Sequence, residues 1–425
     1  MTTRRLPDPS ARRVAWLLVV VASSAFAVAA WWLVPWEPVP GGTPDPVAPS
    51  SLFTAEELAR AEAFSAAARA WSWSSLALTL IVLVAAAASR RGERLVERLP
   101  GPWWLRATLA TALLLVVARL VTLPLAVGAW RLRVDRGLST QSAGPWLADL
   151  ARSEAVEVLT VAAVVLVLVG THRRWRTWAP VVAATVLGGS VVVGSYAYPL
   201  VVEPLFHSFE PLPPGALRDA VTEGAAEQGV AVDDVVVADA SRRTTTLNAW
   251  VSGLGGSRRV VLYDNLVQEV PRGQVLAVVA HELAHARHGD VAVGTALGAL
   301  GTAGTVGLAT LVVPRLSRRS LGDVRVVPLV VALLVVGGQL AQPVQNGISR
   351  RVELRADVTA LESVPDPEEF VALQRQLAIR SLADPTPPRW SSWWWGSHPG
   401  VLTRVALAAR AGSATAGGLP AQGLH

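Results

Sequence analysis

Seven stretches of this chain are apolar and close to the length of a bilayer crossing, at 14–34, 71–88, 105–130, 155–170, 178–200, 291–313 and 326–344. In lipid every backbone amide needs an internal partner, so segments of this kind become helices and pack together. Gly and Pro inside them are tolerable where neighbouring helices satisfy the freed backbone groups. A 52% hydrophobic composition and a mean hydropathy of +0.40 agree. The expected fold class is therefore mainly α, a polytopic membrane bundle of about seven spans.

The arginines indicate how the bundle is threaded. Arg4, Arg5, Arg12 and Arg13, then Arg90, Arg91, Arg94 and Arg98, then Arg173, Arg174 and Arg176, then Arg315, Arg318 and Arg319 all fall on one side of seven spans. The excess of cations in short cytoplasmic loops places that side in the cytoplasm, and segment 201–290 and the C-terminus outside. A net charge of +6 and a pI near 10.8 would otherwise suggest nucleic acid. These charges lie in separate loops rather than one patch, so a nucleic-acid partner is not expected. The charged start also fits a secretory signal, but the apolar core after it is long and reads as a helix. With no Cys, disulfides, thiolate ligands and cysteine catalysis are excluded together.

Polar groups within spans are costly unless they face protein or water. Arg119 and Glu157 are expected to pair or to line an aqueous substrate chamber, and Gln339, Gln342 and Gln345 form a stripe leading toward Glu353.

That stripe matters because of His281-Glu282-Leu283-Ala284-His285. Two imidazoles one helical turn apart lie on one face and can share a metal ion, with Glu282 beside a metal-activated water rather than on the metal. With only 7 His in the chain, this spacing is improbable by chance. A hydrolytic zinc site needs a third protein ligand, and Glu353 is the candidate. Asp357, on the same helical face as Glu353, can accept a hydrogen bond from a ligand imidazole. His288 reads as a helix-end residue, since the glycine and histidine that a third-histidine site requires are His288 and Val291 here.

Segment 201–290 has globular patterning: a helix at 217–228, strands at 235–238 and 260–263, and a possible edge strand at 249–251 able to bind an extended peptide. The Pro-rich 36–51 reads as a linker and the acidic 56–64 as a surface helix. The expected organisation is a membrane domain at 1–200, a soluble peptidase segment at 201–290, two further spans at 291–345 and a C-terminal peptidase segment at 346–425.

Asn248-Ala249-Trp250 with Gly253-Leu254-Gly255, Val260 through Asp264, the His-Glu-x-x-His, Asn346 with Ser349-Arg350, Glu353 with Ala356-Asp357, and His398-Pro399 occur in an order that resembles a known family. Pro204-Leu205-Phe206, Phe209 and Pro211-Leu212 fit its approach to the soluble domain. The family is the integral-membrane zinc peptidases that include type 1 CAAX prenyl protease and the HtpX heat-shock protease. Ala284 stands where the prenyl-protease branch often has Gly, and Trp250 replaces a common Tyr.

The resemblance implies a small α+β gluzincin-type domain at an internal chamber, with one Zn(2+) on His281, His285 and Glu353, and Glu282 as base. It implies Asp357 behind the ligands, Asn248 and Ala249 at a substrate-binding edge, His398 assisting catalysis and Arg404 contacting substrate. It also favours a cytoplasmic peptidase face, against the arginine count, and prenylated substrates. The expected function is a multi-pass cell-membrane zinc endopeptidase acting on peptide or protein substrates near the bilayer, through a zinc-activated water. A catalytically silent scaffold or regulator retaining the fold is the alternative, and a transporter a remoter one. Trp390, Trp393, Trp394 and Trp395 form either an interfacial belt or a hydrophobic substrate wall.

Overall fold

The computed structural model describes residues 9–253, 258–364 and 366–416. Arg4, Arg5, Leu254 and Gly255, singled out above, lie outside the described residues.

The chain runs α1 (Pro9–Leu33), α2 (Ala55–Ala88), α3 (Arg90–Arg98), α4 (Trp103–Asp135), α5 (Ala143–Arg174), α6 (Ala179–Val201) and α7 (Glu203–Phe206). Then come β1 (Phe209–Pro211), α8 (Ala216–Glu227), β2 (Asp234–Ala238), β3 (Ala249–Ser252), β4 (Arg259–Tyr263), α9 (Asp264–Glu269) and α10 (Arg272–His288). The last elements are α11 (Asp290–Ser317), α12 (Val327–Ser363), α13 (Pro367–Ser381), α14 (Arg389–Trp395) and α15 (Val401–Ala416).

Seven helical segments are long and apolar enough to cross a membrane, and they coincide with the seven expected stretches. Most outrun their apolar stretch. The expected 155–170 is the middle of the 32-residue α5. Likewise 56–64 is no separate surface helix. It forms the first turns of α2, which starts at a Thr54 capping box with Glu57 and continues without a breaker through an Ala-rich stretch. Those turns dock on α13, where Arg375 Nη2 donates to Glu57 Oε1 over 2.8 Å.

The membrane helices bury small and β-branched residues against one another, including Ala107, Ala110, Val165, Val169 and Val331. Trp31, Trp32, Leu159 and Leu200 point outward, as lipid-facing residues do. Arg119 pairs with the expected Glu157 and with a second acid one turn earlier: its Nη2 donates to Glu157 Oε2 over 3.5 Å and its Nε to Glu154 Oε2 over 2.6 Å.

Between the fifth and sixth spans the chain forms a four-stranded sheet in the order β1-β2-β4-β3. β2 and β4 pair in parallel, and β1 and β3 flank them antiparallel. Val235, Val260 and Leu262 point into a core shared with Val275, Val279 and Leu283 of α10 and Phe370 and Leu373 of α13. α10 is thereby held on the sheet by its apolar face. α12 is a single 37-residue helix, about 55 Å long at 1.5 Å per residue, that starts among the membrane helices and ends in the peptidase core. Position 345/346, expected as a segment boundary, falls inside it.

Candidate metal centre

α10 carries both histidines of the motif. It ends at His288 because Gly289 takes the left-handed conformation (φ 67°), which a side chain would strain. His288 is the helix-end residue expected, its Nε2 3.0 Å from Thr359 Oγ1. The reversal at Gly289 starts α11 at once and returns Asp290 to the last turn of α10. Asp290 Oδ2 lies 2.8 Å from His285 Nδ1. On the other side, Asp357 Oδ1 lies 2.9 Å from His281 Nδ1.

With both Nδ1 atoms engaged by carboxylates, both Nε2 atoms face the same gap, 3.2 Å apart. Glu353 closes it, with Oε2 3.3 Å from His281 Nε2 and Oε1 3.6 Å from His285 Nε2. Tetrahedral ligands about 2.0–2.1 Å from a zinc ion stand about 3.3–3.4 Å from one another. The donor spacing fits that geometry. Glu353 Oε2 is also buried with no hydrogen-bond partner among the described residues, as befits an oxygen facing a cation. These residues can hold a metal ion.

Each supporting aspartate has its own arginine. Arg404 of α15 donates through Nε to Asp357 Oδ2 over 2.8 Å and through Nη2 to Oδ1. Arg355 Nη2 donates to Asp290 Oδ1. Asp357 is fully buried, and its charge is sustained by Arg404 and His281. Burial alone would push the His281 imidazole down, yet the Asp357 and Glu353 carboxylates beside its two ring nitrogens outweigh it and raise it to about 9. Burial raises the carboxyl of Glu282 above its ordinary range, and the neighbouring histidines only partly offset this.

The residues expected at the centre are brought together there. Arg404, expected against substrate, lies behind His281 with its guanidinium committed to Asp357. His398 Nε2 lies 3.5 Å from Glu353 Oε1, and its side chain is 61% exposed, so it stands at the open side of the carboxylate. Ala249 is buried in the core that α10 also enters, and the carbonyl of exposed Asn248 accepts from Tyr263 N over 3.1 Å. β3 is the edge strand expected, with β4 on one side. Asp290 and Arg355 were not foreseen. An acid directly after the glycine that ends the motif helix is the signal that points to Asp290.

Comparison with known proteins agrees with this geometry. The profile of Peptidase family M48 matches residues 211–411. The chain is 28% identical over 306 residues to the uncharacterised metalloprotease YhfN of Bacillus subtilis (strain 168), covering 68% of this chain and 70% of that one. It is 39% identical over 89 residues, 21% of each chain, to a CAAX prenyl protease 1 homolog of Oryza sativa subsp. japonica. The fold matches the crystal structure of S. mikatae Ste24p with a TM-score of 0.69, covering 95% of this chain and 100% of that one at 18% identity.

Proposed function

We propose that this chain is an integral-membrane zinc metalloendopeptidase of the kind that its match to Peptidase family M48 indicates, that His281, His285 and Glu353 hold one zinc ion, and that Glu282 moves the proton in peptide-bond hydrolysis. The observation that carries this reading is the convergence of three donor groups at tetrahedral spacing, with a glutamate next to the first of them. When bound, zinc supplies Lewis acidity toward a carbonyl and acidifies a water molecule.

The chain's own residues do the rest. Asp290 and Asp357 fix the imidazole tautomers so that Nε2 of each faces the gap. Glu282, its carboxyl raised by burial, accepts the water proton and returns it to the leaving amine. His398, beside Glu353 but exposed, reaches the side where a carbonyl oxygen gains charge and stabilises it. The edge of β3 away from β4, which starts at Ala249 with Asn248 exposed just before it, aligns an extended substrate by backbone hydrogen bonds, which tolerate varied sequence.

The substrate class is membrane-associated polypeptide, because α12 delivers Glu353 directly from the membrane bundle. The arginine distribution supports a peptidase side outside the cytoplasm, against the cytoplasmic face that the resemblance favours. Reconstitution in liposomes tests the substrate class. A peptide tethered to lipid is expected to be cut with kcat/KM at least about tenfold above the same peptide free in solution, through raised local concentration. Equal rates would remove the membrane-associated class. N-methylation of the peptide backbone near the scissile bond is expected to suppress cleavage, and unimpaired cleavage would remove the β3 edge from the account.

A further inference from the structure

We infer that Arg350, assisted by Asn346, is a positioning residue that sets His398 over the metal centre. This rests on the role proposed for His398 above. Asn346, Arg350, Glu353 and Asp357 follow one another at spacings of four, three and four, so they form one stripe along α12. Glu353 faces the metal gap, and its neighbours on the stripe hold the chain that carries His398.

At one end of that chain is the last turn of α14. A helix C-terminus leaves carbonyl oxygens without intrahelical partners, and a cation is well suited to them. Asn346 Nδ2 donates to Trp394 O. Arg350 Nη1 donates to Gly396 O, two residues before His398, and over 3.2 Å to Ser392 O, which also accepts from Gly396 N. At the other end α15 begins at Val401, and its Arg404 is bound to Asp357 on the same stripe. The intervening residues 397–400 are therefore pinned on both sides of Glu353, and His398 Nε2 comes to rest 3.5 Å from Glu353 Oε1. Pro399 disfavours helical backbone at His398 and stiffens the bridge further. An exposed histidine on an untethered loop would sample many positions. The Arg350 contacts remove that freedom, and an error of about 1 Å at such a group can lower a rate about a hundredfold.

The test has one structural and one kinetic arm on the full-length zinc-loaded enzyme. Hydrogen exchange is compared in wild type, Arg350→Ala and Arg350→Lys. In Arg350→Ala, amides over 392–398 should exchange at least about tenfold faster while those of α10 stay unchanged, and Arg350→Lys should fall between. Unchanged exchange at 392–398 overturns the inference whatever the activity does. Kinetically, Arg350→Ala should lower kcat by about ten- to a hundredfold with KM within about threefold. In a His398→Ala background the same substitution should change kcat less than about twofold, because the group it positions is gone. The same factor in both backgrounds overturns it. If His398→Ala alone is harmless while exchange at 392–398 still rises in Arg350→Ala, the role of His398 fails and the tether stands. Should Arg350→Ala not accumulate, Arg350→Lys carries both arms.

Discussion

His285 and Asp290 lie either side of the left-handed Gly289, yet Asp290 Oδ2 sits 2.8 Å from His285 Nδ1. The contact decides which imidazole nitrogen faces Glu353, and Arg355 holds the aspartate in place. Asp290→Asn should weaken zinc binding about ten- to a hundredfold, the usual cost of losing a carboxylate behind a ligand imidazole. Competition against a calibrated chelator measures this, and wild-type affinity in the variant would separate Asp290 from the metal site.

Zinc affinity should also depend on pH through His281. The Asp357 and Glu353 carboxylates beside it raise it to about 9, so below that pH a bound proton must leave when the metal enters. The sign follows directly: affinity rises with pH and levels off above about 9. The slope should approach about tenfold per pH unit from this group alone. Isothermal titration in buffers of different ionisation enthalpy reads the released proton, and zero release near neutral pH would contradict the assignment.

Arg404 and Asp357 form a buried pair, with side chains 11% and 0% exposed. Arg404→Ala leaves a fully buried aspartate with the His281 imidazole as its remaining partner and no paired cation, so stability should fall by about 3–5 kcal/mol. Denaturant unfolding of the metal-loaded protein in detergent checks the value. A loss of substrate affinity at unchanged stability would instead restore Arg404 to the substrate contacts expected from resemblance.

The site was legible where its geometry is local in sequence. His281 and His285, and then Glu353 and Asp357, share helical faces at spacings that survive any tertiary arrangement. Asp290 was hidden because its approach depends on a left-handed reversal rather than a helical repeat. Arg350 and Arg355 resembled solvated neighbours of Glu353. Their partners are the α14 carbonyls and Asp290, 42 or more residues away for each. The seven spans were legible because length and apolarity are set by the bilayer, whereas their ends were not, since α2 and α5 run past the apolar stretch. β1 was missed because three residues ending in Pro211 carry no alternation to detect.

Orientation in the membrane is open to direct labelling. The chain has no Cys, so single-cysteine variants need no altered background. Glu223 on α8 and Ser320 after α11 are exposed and lie at opposite ends of the sixth span. In intact cells a membrane-impermeant maleimide should label Glu223→Cys and spare Ser320→Cys. The reverse pattern would place the peptidase side in the cytoplasm and leave the metal centre as described.

The most direct test of the metal centre as a hydrolytic site is Glu282→Gln, assayed with wild type against a mixed peptide library in detergent. Both proteins should hold one zinc ion per chain, measured by elemental analysis. Turnover should fall by about 10²–10⁴ or more in the variant, and chelation should abolish wild-type cleavage until zinc is restored. A Glu282→Gln variant that cuts as fast as wild type would contradict the account, as would cleavage by wild type stripped of its metal.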